Sequence, residues 1–383
     1  MSTTSASSGS EAPEFQTPDA GPAVKPAGSK RPLGPGEADA FLPYPIRWTP
    51  LLVERVWGGR RLEAFDKVLP TGNPYGESWE ISDVRDSSSC VASGPYAGRL
   101  LSELLQAHRE ALLGADLAAG DGDFPLLLKL LDAGEHLSIQ VHPSDEDIRA
   151  AGGRLGDVSS RGKTEAWVIL EAEEGAEVVH GLGPGVALEE VVARVRAAQG
   201  KALSEEEVRR LFRWVPVSAG DVIFVPAGTV HALGAGIVLL EVQQTSDITF
   251  RIYDWGRVGL DGLPRDLHLE EALEVSEAAP TSCPLTRLTD HQQPGVNRLL
   301  ECDKFRFESV LLQEGEPEAA TTQEGGKANF RILVGLEGTS ELRVAGQETL
   351  PLRRGELVLL PAALGEYTVA SRGEPARFLR VSA

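Results

Sequence analysis

From Phe41 to the end of the chain, apolar residues mostly recur at every second position, in short runs that turn residues separate. Examples are "AEVVH", "DVIFVP" and "ELRVAG". A period of two is typical of strands that bury one face, and β-branched residues favour strands. Two stretches depart from it and repeat apolar residues at helical spacing, at residues 98–114 and 187–213. The pattern predicts a mainly β protein with a small helical insertion.

The two helical stretches differ in their end signals. In 98–114 the apolar face consists of Leu101, Leu104, Leu105, His108 and Leu112. The stretch 187–213 divides into two helices. Ser204 precedes the second helix and Glu207 follows three residues later, which is the spacing of a capping box. Its charged outer face indicates a side layer or lid, without a catalytic cluster.

The segment "SIQVHP" raises a question about its polar residues. If it is a strand, alternation places Leu137, Ile139 and Val141 on one face. The opposite face then carries a hydroxyl, an amide and an imidazole, from Ser138, Gln140 and His142. The apolar face is sufficient for a core, so the polar face is free for another role.

The strongest pattern in the chain is an internal repeat. "GDVIFVPAGTVH", at Gly220–His231, and "GELVLLPAALGE", at Gly355–Glu366, share glycine, five residues and proline with the same apolar filling. The first copy resembles the second motif of the cupin superfamily, in which the histidine is aimed into a β-barrel. The second copy has Ala363 and Glu366 in place of the glycine and the histidine. The repeat predicts two related jelly-roll barrels, of which only the first keeps a metal ligand.

Composition restricts the classes of partner. The 383 residues are 42% hydrophobic with a mean hydropathy of −0.14, and the net charge is −20. No cluster of lysine and arginine is present, so nucleic acid and anionic membranes are poor partners. Three scattered cysteines, Cys90, Cys283 and Cys302, form no paired motif, which favours a reducing cytoplasm.

Residues 1–40 are rich in small and turn-forming residues and contain almost no large apolar side chain. Such a composition buries too little surface to offset chain entropy, so we expect a disordered N-terminal tail. It lacks the apolar centre of a secretory signal, and no apolar run of membrane-spanning length occurs elsewhere.

Four residues are candidate metal ligands. Gln140 and His142 are two apart on one strand face, and His231 ends the first copy of the repeat. In "GKTEAWVIL", Glu165 shares a face with Trp167, and a buried carboxylate is costly unless it is paired or binds a cation. Imidazole, carboxylate and amide oxygen together suit Zn²⁺ or another borderline divalent ion with open coordination, which favours catalysis.

Five segments carry a more specific resemblance. "LVERVWGG", "GESWEIS", "PLLLKLLDAGEHLSIQVHP", "GKTEAWVIL" and "VPAGTVHALGAGIVLLEVQQTSDITFRIYDWGR" are similar, in this order, to the marker segments of type I mannose-6-phosphate isomerases, also called phosphomannose isomerases. The resemblance covers residues 43–257 closely. It implies a zinc enzyme that interconverts mannose 6-phosphate and fructose 6-phosphate. The metal ligands that it implies are Gln140, His142, Glu165 and His231.

The isomerisation moves a proton between C1 and C2 of an open-chain sugar through a cis-enediol. The sequence leaves the base open among Lys163, Glu165, Asp247 and a hydroxide held by the metal. Arg251 occupies the position of the family's catalytic arginine. Its other interpretation is a surface arginine paired with Asp254.

Substrate contacts are also implied by the resemblance. Lys129, in the apolar run "LLLKLL", matches phosphate-contacting positions of the family, as do Ser138 and Lys163. Trp79 could stack on a sugar face, although an aromatic residue in a β-rich core more often packs. Glu77 and Glu80 lie beside it, and Glu80 is the weaker candidate. Two further charges, Lys67 and Arg85, are expected to be solvated.

The resulting domain prediction is a tail at 1–40, a catalytic cupin domain at 41–284 and a metal-free C-terminal barrel at 285–383 that covers the open end of the first. The resemblance implies a small sugar phosphate as the partner, and we expect a monomer or homodimer. Three alternatives stay open: a cupin isomerase acting on another aldose phosphate such as glucose 6-phosphate, a non-catalytic sugar-binding cupin, and an iron-dependent cupin oxygenase.

Overall fold

The structure is a computed structural model that describes residues 40–120, 122–155, 161–277 and 283–383. The predicted tail lies outside the described residues, apart from residue 40. The six α-helices of the described ranges are α1 (Leu101–Leu113), α2 (Ala115–Ala118), α3 (Asp145–Ala151), α4 (Leu188–Ala198), α5 (Glu205–Leu211) and α6 (Leu269–Val275). Short 3-10 turns lie at Arg61–Phe65, Leu288–Asp290 and Ala362–Leu364.

Strands make up most of the regular structure, as the sequence predicts. In chain order they are β1 (Trp48–Thr49), β2 (Leu51–Gly59), β3 (Tyr75–Ile81), β4 (Asp83–Val84), β5 (Ser87–Ser88), β6 (Cys90–Val91), β7 (Leu126–Ala133), β8 (Ile139–Val141), β9 (Glu165–Ala172), β10 (Glu177–Leu182), β11 (Phe212–Pro216), β12 (Asp221–Val225), β13 (His231–Leu233), β14 (Ile237–Gln244), β15 (Phe250–Tyr253), β16 (Leu285–Arg287), β17 (Gly295–Glu301), β18 (Arg306–Leu312), β19 (Glu318–Thr321), β20 (Gln323–Glu324), β21 (Lys327–Ala328), β22 (Arg331–Glu337), β23 (Ser340–Arg343), β24 (Leu350–Leu352), β25 (Leu357–Leu360), β26 (Glu366–Ser371) and β27 (Ala376–Ser382).

Four large antiparallel sheets carry the fold. Sheet I has the order β16-β12-β9-β14-β7-β3-β2, and sheet II has the order β11-β10-β13-β8-β15. Sheet III has the order β17-β18-β27-β22-β25, and sheet IV has the order β19-β26-β23-β24. The neighbours β12-β9-β14-β7-β3 of sheet I correspond in order to β25-β22-β27-β18-β17 of sheet III. The sequence repeat is therefore accompanied by a repeated strand order.

The apolar cores show how the sheets stack. One core lies between sheets I and II and includes Trp167, Ile169 and Leu239. A larger core joins the other face of sheet I to sheet III and to α1, and a third core lies between sheets III and IV. The helices α3 to α6 pack on the outer face of sheet II. The site therefore has to be sought between sheets I and II, where polar residues interrupt an apolar layer.

The stacking corrects one expectation. The C-terminal sheets do not cover an open end, because sheet III packs against the back face of sheet I through residues such as Leu128, Val168, Phe307 and Val334. Alternation along β9 explains this packing, since it places Val168 on the back face while Trp167 faces sheet II. The barrel closure and the domain bounds 41–284 and 285–383 stay predictions.

The helical predictions are confirmed at 98–114 and 187–213, where α1, α4 and α5 form. The Ser204 hydroxyl accepts from the Glu207 N–H, and the Glu207 carboxylate accepts from the Ser204 N–H, as a capping box requires. The sequence pattern did not predict α2, α3 and α6. Ser144 and Asp147 form the same capping box at the start of α3, so a usable signal was present. The longest α-helix of the described residues, α1, has 13 residues, and none there is long and apolar enough to span a membrane.

Candidate metal centre

Three strands from two facing sheets bring the candidate ligands together. Glu165 is the first residue of β9, His231 is the first residue of β13, and His142 follows β8 directly. His231 pairs with Gln140 across β13 and β8, so both side chains start from one level of sheet II. Glu165 faces them from sheet I. All except half-buried Gln140 are buried.

The ligand atoms converge on one point. Potential donor atoms of His142, Glu165 and His231 all lie within 4.8 Å of one another. Oε2 of Glu165 is 3.6 Å from Nε2 of His142, and Oε1 is 3.4 Å from Nε2 of His231. This is the one group of three or more such residues with metal-site spacing among the described residues.

The two imidazoles are oriented by backbone carbonyls. Nδ1 of His142 donates to the Ile248 carbonyl at 2.8 Å, and Nδ1 of His231 donates to the Thr229 carbonyl at 2.8 Å. The proton on Nδ1 leaves the Nε2 lone pair facing the cluster, which is the form that binds metals. Burial lowers the pKa of His142 well below its usual value and that of His231 to about 3, so both rings are neutral.

The carboxylate of Glu165 supports the fit to a divalent ion. Oε2 has a cationic partner, because Nζ of Lys163 lies 2.8 Å away, whereas the buried Oε1 has no hydrogen-bond partner within the described residues. Buried acceptors of this kind need a positive partner. Two imidazole nitrogens and one carboxylate oxygen form a donor set that suits zinc and similar ions, with positions left for substrate.

Gln140 is the fourth candidate ligand, and its present orientation fits a metal ion least well. Its Nε2 is 3.4 Å from Nε2 of His231, and its Oε1 accepts from the Ser138 hydroxyl at 3.2 Å. A half-turn of the amide brings Oε1 towards the same point. Leu137 departs from the predicted alternation. It precedes β8 in irregular backbone and lines the cavity instead of packing with Ile139 and Val141.

Three of the candidate ligands, Gln140, Glu165 and His231, line a cavity of about 110 Å³ between sheets I and II. Of the ten residues that the sequence singled out for the site, all except His142 line it. They are Trp79, Lys129, Ser138, Gln140, Lys163, Glu165, His231, Asp247 and Arg251. His142 is covered by Lys163, whose Nζ lies 2.9 Å from its Nε2.

A row of alternating charges crosses the floor of this cavity. Nζ of Lys129 lies 3.6 Å from Oε2 of Glu77 and 3.3 Å from Oε1 of Glu241. Burial alone would raise the pKa of Glu77, but Arg55 and Lys129 lower it to about 2. Burial, reinforced by Glu165, raises the pKa of Glu241. Trp79 is buried with its ring centre 5.1 Å from Nζ of Lys129. Lys129 is thus already a partner of two carboxylates.

Two of the predicted catalytic residues, Asp247 and Arg251, also line the cavity, and Arg251 lies next to Gln140 in sheet II. Asp247 lines the cavity, burial raises its pKa, and its Oδ1 is buried without a hydrogen-bond partner within the described ranges. Nη1 of Arg251 donates to the Asp266 carbonyl at 2.8 Å. Asp254 instead accepts from Arg257 at 3.0 Å and from Arg265 at 2.7 Å. Arg251 is 6% exposed and lines the cavity, which argues against a surface role.

Sequence reasoning missed several lining residues. Glu241 stands in the apolar run "IVLLEVQ" and shows the signal that identified Lys129, a charge inside an apolar strand. Arg55 and Arg265 also line the cavity, without a comparable signal. Lys67 contradicts the solvated interpretation, because its buried ammonium pairs with Glu80 at 2.8 Å. Arg85 is exposed as expected.

Comparison with known proteins decides the family. The family description "phosphomannose isomerase type I, catalytic domain" matches residues 47–154. A mannose-6-phosphate isomerase of Bacillus subtilis is 35% identical, with 86% of this chain and 97% of the relative covered. The chain belongs to the type I phosphomannose isomerase family.

Two further relatives agree with this assignment. A mannose-6-phosphate isomerase of Streptococcus mutans is 38% identical over 82% of this chain and 91% of its own. The crystal structure of the mannose 6-phosphate isomerase from Bacillus subtilis matches with a TM-score of 0.70 and 30% identity, covering 88% of this chain and 99% of that one. A phosphomannose isomerase structure from Salmonella typhimurium, at 19% identity and a TM-score of 0.67, shares the fold. The resemblance found in the sequence is confirmed at family level.

Proposed function

We propose that this chain interconverts mannose 6-phosphate and fructose 6-phosphate through a cis-enediol, with one divalent ion held by Gln140, His142, Glu165 and His231. The observation that carries the proposal is the buried cluster of two neutral imidazoles and one carboxylate at the wall of a charged cavity. A bound divalent ion supplies a Lewis acid for the sugar carbonyl.

Asp247 is the base that the geometry favours. Lys163 is a poor base, because burial alone would lower its pKa but Glu165 and Glu241 together raise it, so it stays protonated. Glu165 is engaged with the ligand cluster. Asp247 has an oxygen without a partner, lines the same cavity and has a raised pKa, as a carboxylate that takes a proton from carbon needs.

The remaining roles are charge stabilisation and phosphate binding, and most of them belong to cationic residues. Arg251 is on β15, next to Gln140 of β8, and its fixed charge stabilises the negative charge that develops on the sugar oxygens. Lys129, Ser138 and Lys163 bind the phosphate. Trp79 supports this end of the cavity by packing against Lys129.

The finer properties belong to the same proposal. The donor set supports Zn²⁺ as the resident ion. A net charge of −20 supports a small-molecule partner over nucleic acid. We further propose that the chain works in the cytoplasm as a monomer or homodimer, with residues 41–284 catalytic and residues 285–383 free of metal.

The test is an isomerase assay on protein stripped of metal and then supplied with Zn²⁺, Co²⁺, Mn²⁺ or Fe²⁺ in turn. We expect no turnover of mannose 6-phosphate in the stripped protein and recovery of this turnover with Zn²⁺. Glucose 6-phosphate is assayed in parallel as the alternative substrate. Full activity without metal would contradict the metal assignment. Iron-dependent oxygen uptake without isomerisation would contradict the reaction.

A further inference from the structure

Asp145 connects three segments beside the candidate metal ligands. It opens α3, three residues after His142. Its Oδ1 accepts from the Gly162 N–H at 2.7 Å and from Nε2 of Gln244 at 3.1 Å. Oε1 of Gln244 accepts from the Thr164 N–H at 3.1 Å. One carboxylate therefore connects the segment that follows the histidine ligand to the segment that leads into β9.

The two segments are also in close backbone contact. A Cβ at Gly162 would lie 2.4 Å from the carbonyl carbon of Ser144 and 2.5 Å from the backbone nitrogen of Asp145. The Lys163 N–H donates to the Pro143 carbonyl at 2.9 Å. A displacement of residues 143–145 therefore displaces residues 162–163, and with them the start of β9.

The partner of Asp145 comes from the C-terminal sheets. Lys304 lies in the turn between β17 and β18, and its Nζ is 2.7 Å from Oδ2 of Asp145 and 2.8 Å from Asp303. The side chains of Lys304 and Asp145 are 25% and 29% exposed, so solvent screens the pair only in part. The next residue, Phe305, is buried in the core between sheets I and III. The turn that carries the Lys304 ammonium is therefore anchored in the core by Phe305.

We propose that Asp145 and Lys304 are a positioning pair, through which the C-terminal sheets hold residues 143–145 and 162–165 in the geometry that brings His142 and Glu165 to one metal ion. Neither residue of the pair lines the cavity. Groups that hydrogen-bond to metal ligands typically change metal affinity 10- to 100-fold when they are removed. Asp145 and Lys304 act through the backbone beside the ligands, so we expect an effect at the lower end of this range. The inference rests on the proposed function for its consequence in turnover, but its effect on metal affinity stands apart from the reaction.

Lys304→Met in the full chain removes the charge and keeps most of the stem. Lys327→Met is the matched control, because Nζ of Lys327 also forms an ion pair, at 2.7 Å, with Asp116. That pair is exposed, and neither partner lines the cavity. We expect the Zn²⁺ affinity, measured by competition with a chromophoric chelator, to fall about tenfold in Lys304→Met. Lys327→Met and Lys304→Arg should keep the affinity of the unmodified protein.

Two further measurements separate positioning from general stability. In the metal-stripped protein, Lys304→Met should speed hydrogen exchange at the Gly162 amide, which bonds to Asp145, and leave amides of sheet IV unchanged. Asp145→Asn should also weaken Zn²⁺ binding. The double variant Asp145→Asn with Lys304→Met should lose little more Zn²⁺ affinity than the worse single variant, because both substitutions remove the same contact.

An unchanged Zn²⁺ affinity in Lys304→Met, or fully additive losses in the double variant, would overturn the proposal. If Asp145→Asn does not fold, the three lysine variants decide alone. An unmodified protein that binds Zn²⁺ but turns over no sugar phosphate would refute the proposed function, while the comparison of affinities would still test the positioning pair.

Discussion

Replacing Asp247 by Asn tests the proposed base with the smallest change in shape. An amide cannot take the proton, so kcat should fall by about 10²–10⁴-fold, while metal content stays unchanged. Burial raises the pKa of Asp247, and the base acts only when deprotonated. Activity of the unmodified protein should therefore fall as the pH falls through that raised pKa, above the usual aspartate range. Steady-state kinetics and metal analysis across pH measure both effects.

The outcome that would contradict this assignment is a kcat in Asp247→Asn within a factor of about three of the unmodified value. Asp266→Asn is a suitable control, because the contact of Asp266 with Arg251 uses the backbone carbonyl, which the substitution keeps.

At two positions a charge beside or inside an apolar run predicts a place in the cavity. The structure brings both residues, Glu165 and Lys129, to the cavity wall, while their roles as metal ligand and phosphate contact stay predictions. Glu241 has the same signal and was overlooked. Arg265 could not be found, since its place in the cavity depends on a loop path that no periodicity encodes. Lys67 was misjudged because its partner Glu80 comes from another element.

Lys129 is best tested at the scale of the elements, because its partners come from β3 and β14. Lys129→Met should raise KM for mannose 6-phosphate strongly with metal content unchanged, since a charge-assisted contact to phosphate acts alike in ground and transition states. It should also lower Tm, because Glu77 and Glu241 lose their shared cation. Kinetics and calorimetry separate the two effects.

Lys67→Met is the matched control for this variant. Its ammonium is as deeply buried as that of Lys129 and is paired with Glu80 at 2.8 Å, but it does not line the cavity. We expect a lower Tm and an unchanged KM. If Lys129→Met behaved in the same way, the lysine would only neutralise two carboxylates, and the phosphate would have to bind elsewhere.

Among the elements, long periodic segments were predictable and short ones were not. The helix α1 has five buried leucines at helical spacing, which leaves one interpretation. The seven residues of α3 bury only Ala151, so their apolar signal is faint despite the cap at Ser144. Leu137 was assigned to the wrong face because alternation holds only inside a strand, and β8 starts at Ile139.

At the scale of the whole molecule, the repeat was visible in the sequence but the stacking was not. Gly220 and Gly355 mark equivalent turns, which predicts two related units. Whether these units meet end to end or back to back depends on which sheet faces are apolar. Both faces of β9 are apolar, so the strand pattern does not distinguish the two arrangements, and the prediction that the second unit covers an open end had no support from it. The core between sheets I and III decides for back-to-back packing.

The structure also shows how the second unit differs chemically from the first. Glu165 pairs with Val225, directly before Pro226, and Arg331 pairs with Leu360, directly before Pro361. Arg331 therefore stands where the first unit has Glu165, the candidate carboxylate ligand. A fixed cation at that position disfavours a metal ion.

A second exchange of charge occurs on the strands beside β9 and β22. Lys129 faces Glu241 across β7 and β14, and Glu308 faces Arg380 across β18 and β27. Arg380 pairs with Glu308 and Glu318 at 2.8 Å each. The acidic and basic positions of the first unit are reversed in the second, where they satisfy one another.

This arrangement leads to the last prediction, that Glu366→Ala keeps the metal content and the kcat of the unmodified protein. Glu366 takes the place of His231 in the repeat, but it is exposed, and Arg331 replaces the carboxylate that would share an ion with it. Glu165→Ala is the positive control and should lose the metal. Removing residues 285–383 should instead yield insoluble protein, because the apolar back face of sheet I would be exposed. Loss of metal or turnover in a folded Glu366→Ala variant, with Tm unchanged, would make the C-terminal unit part of the active site.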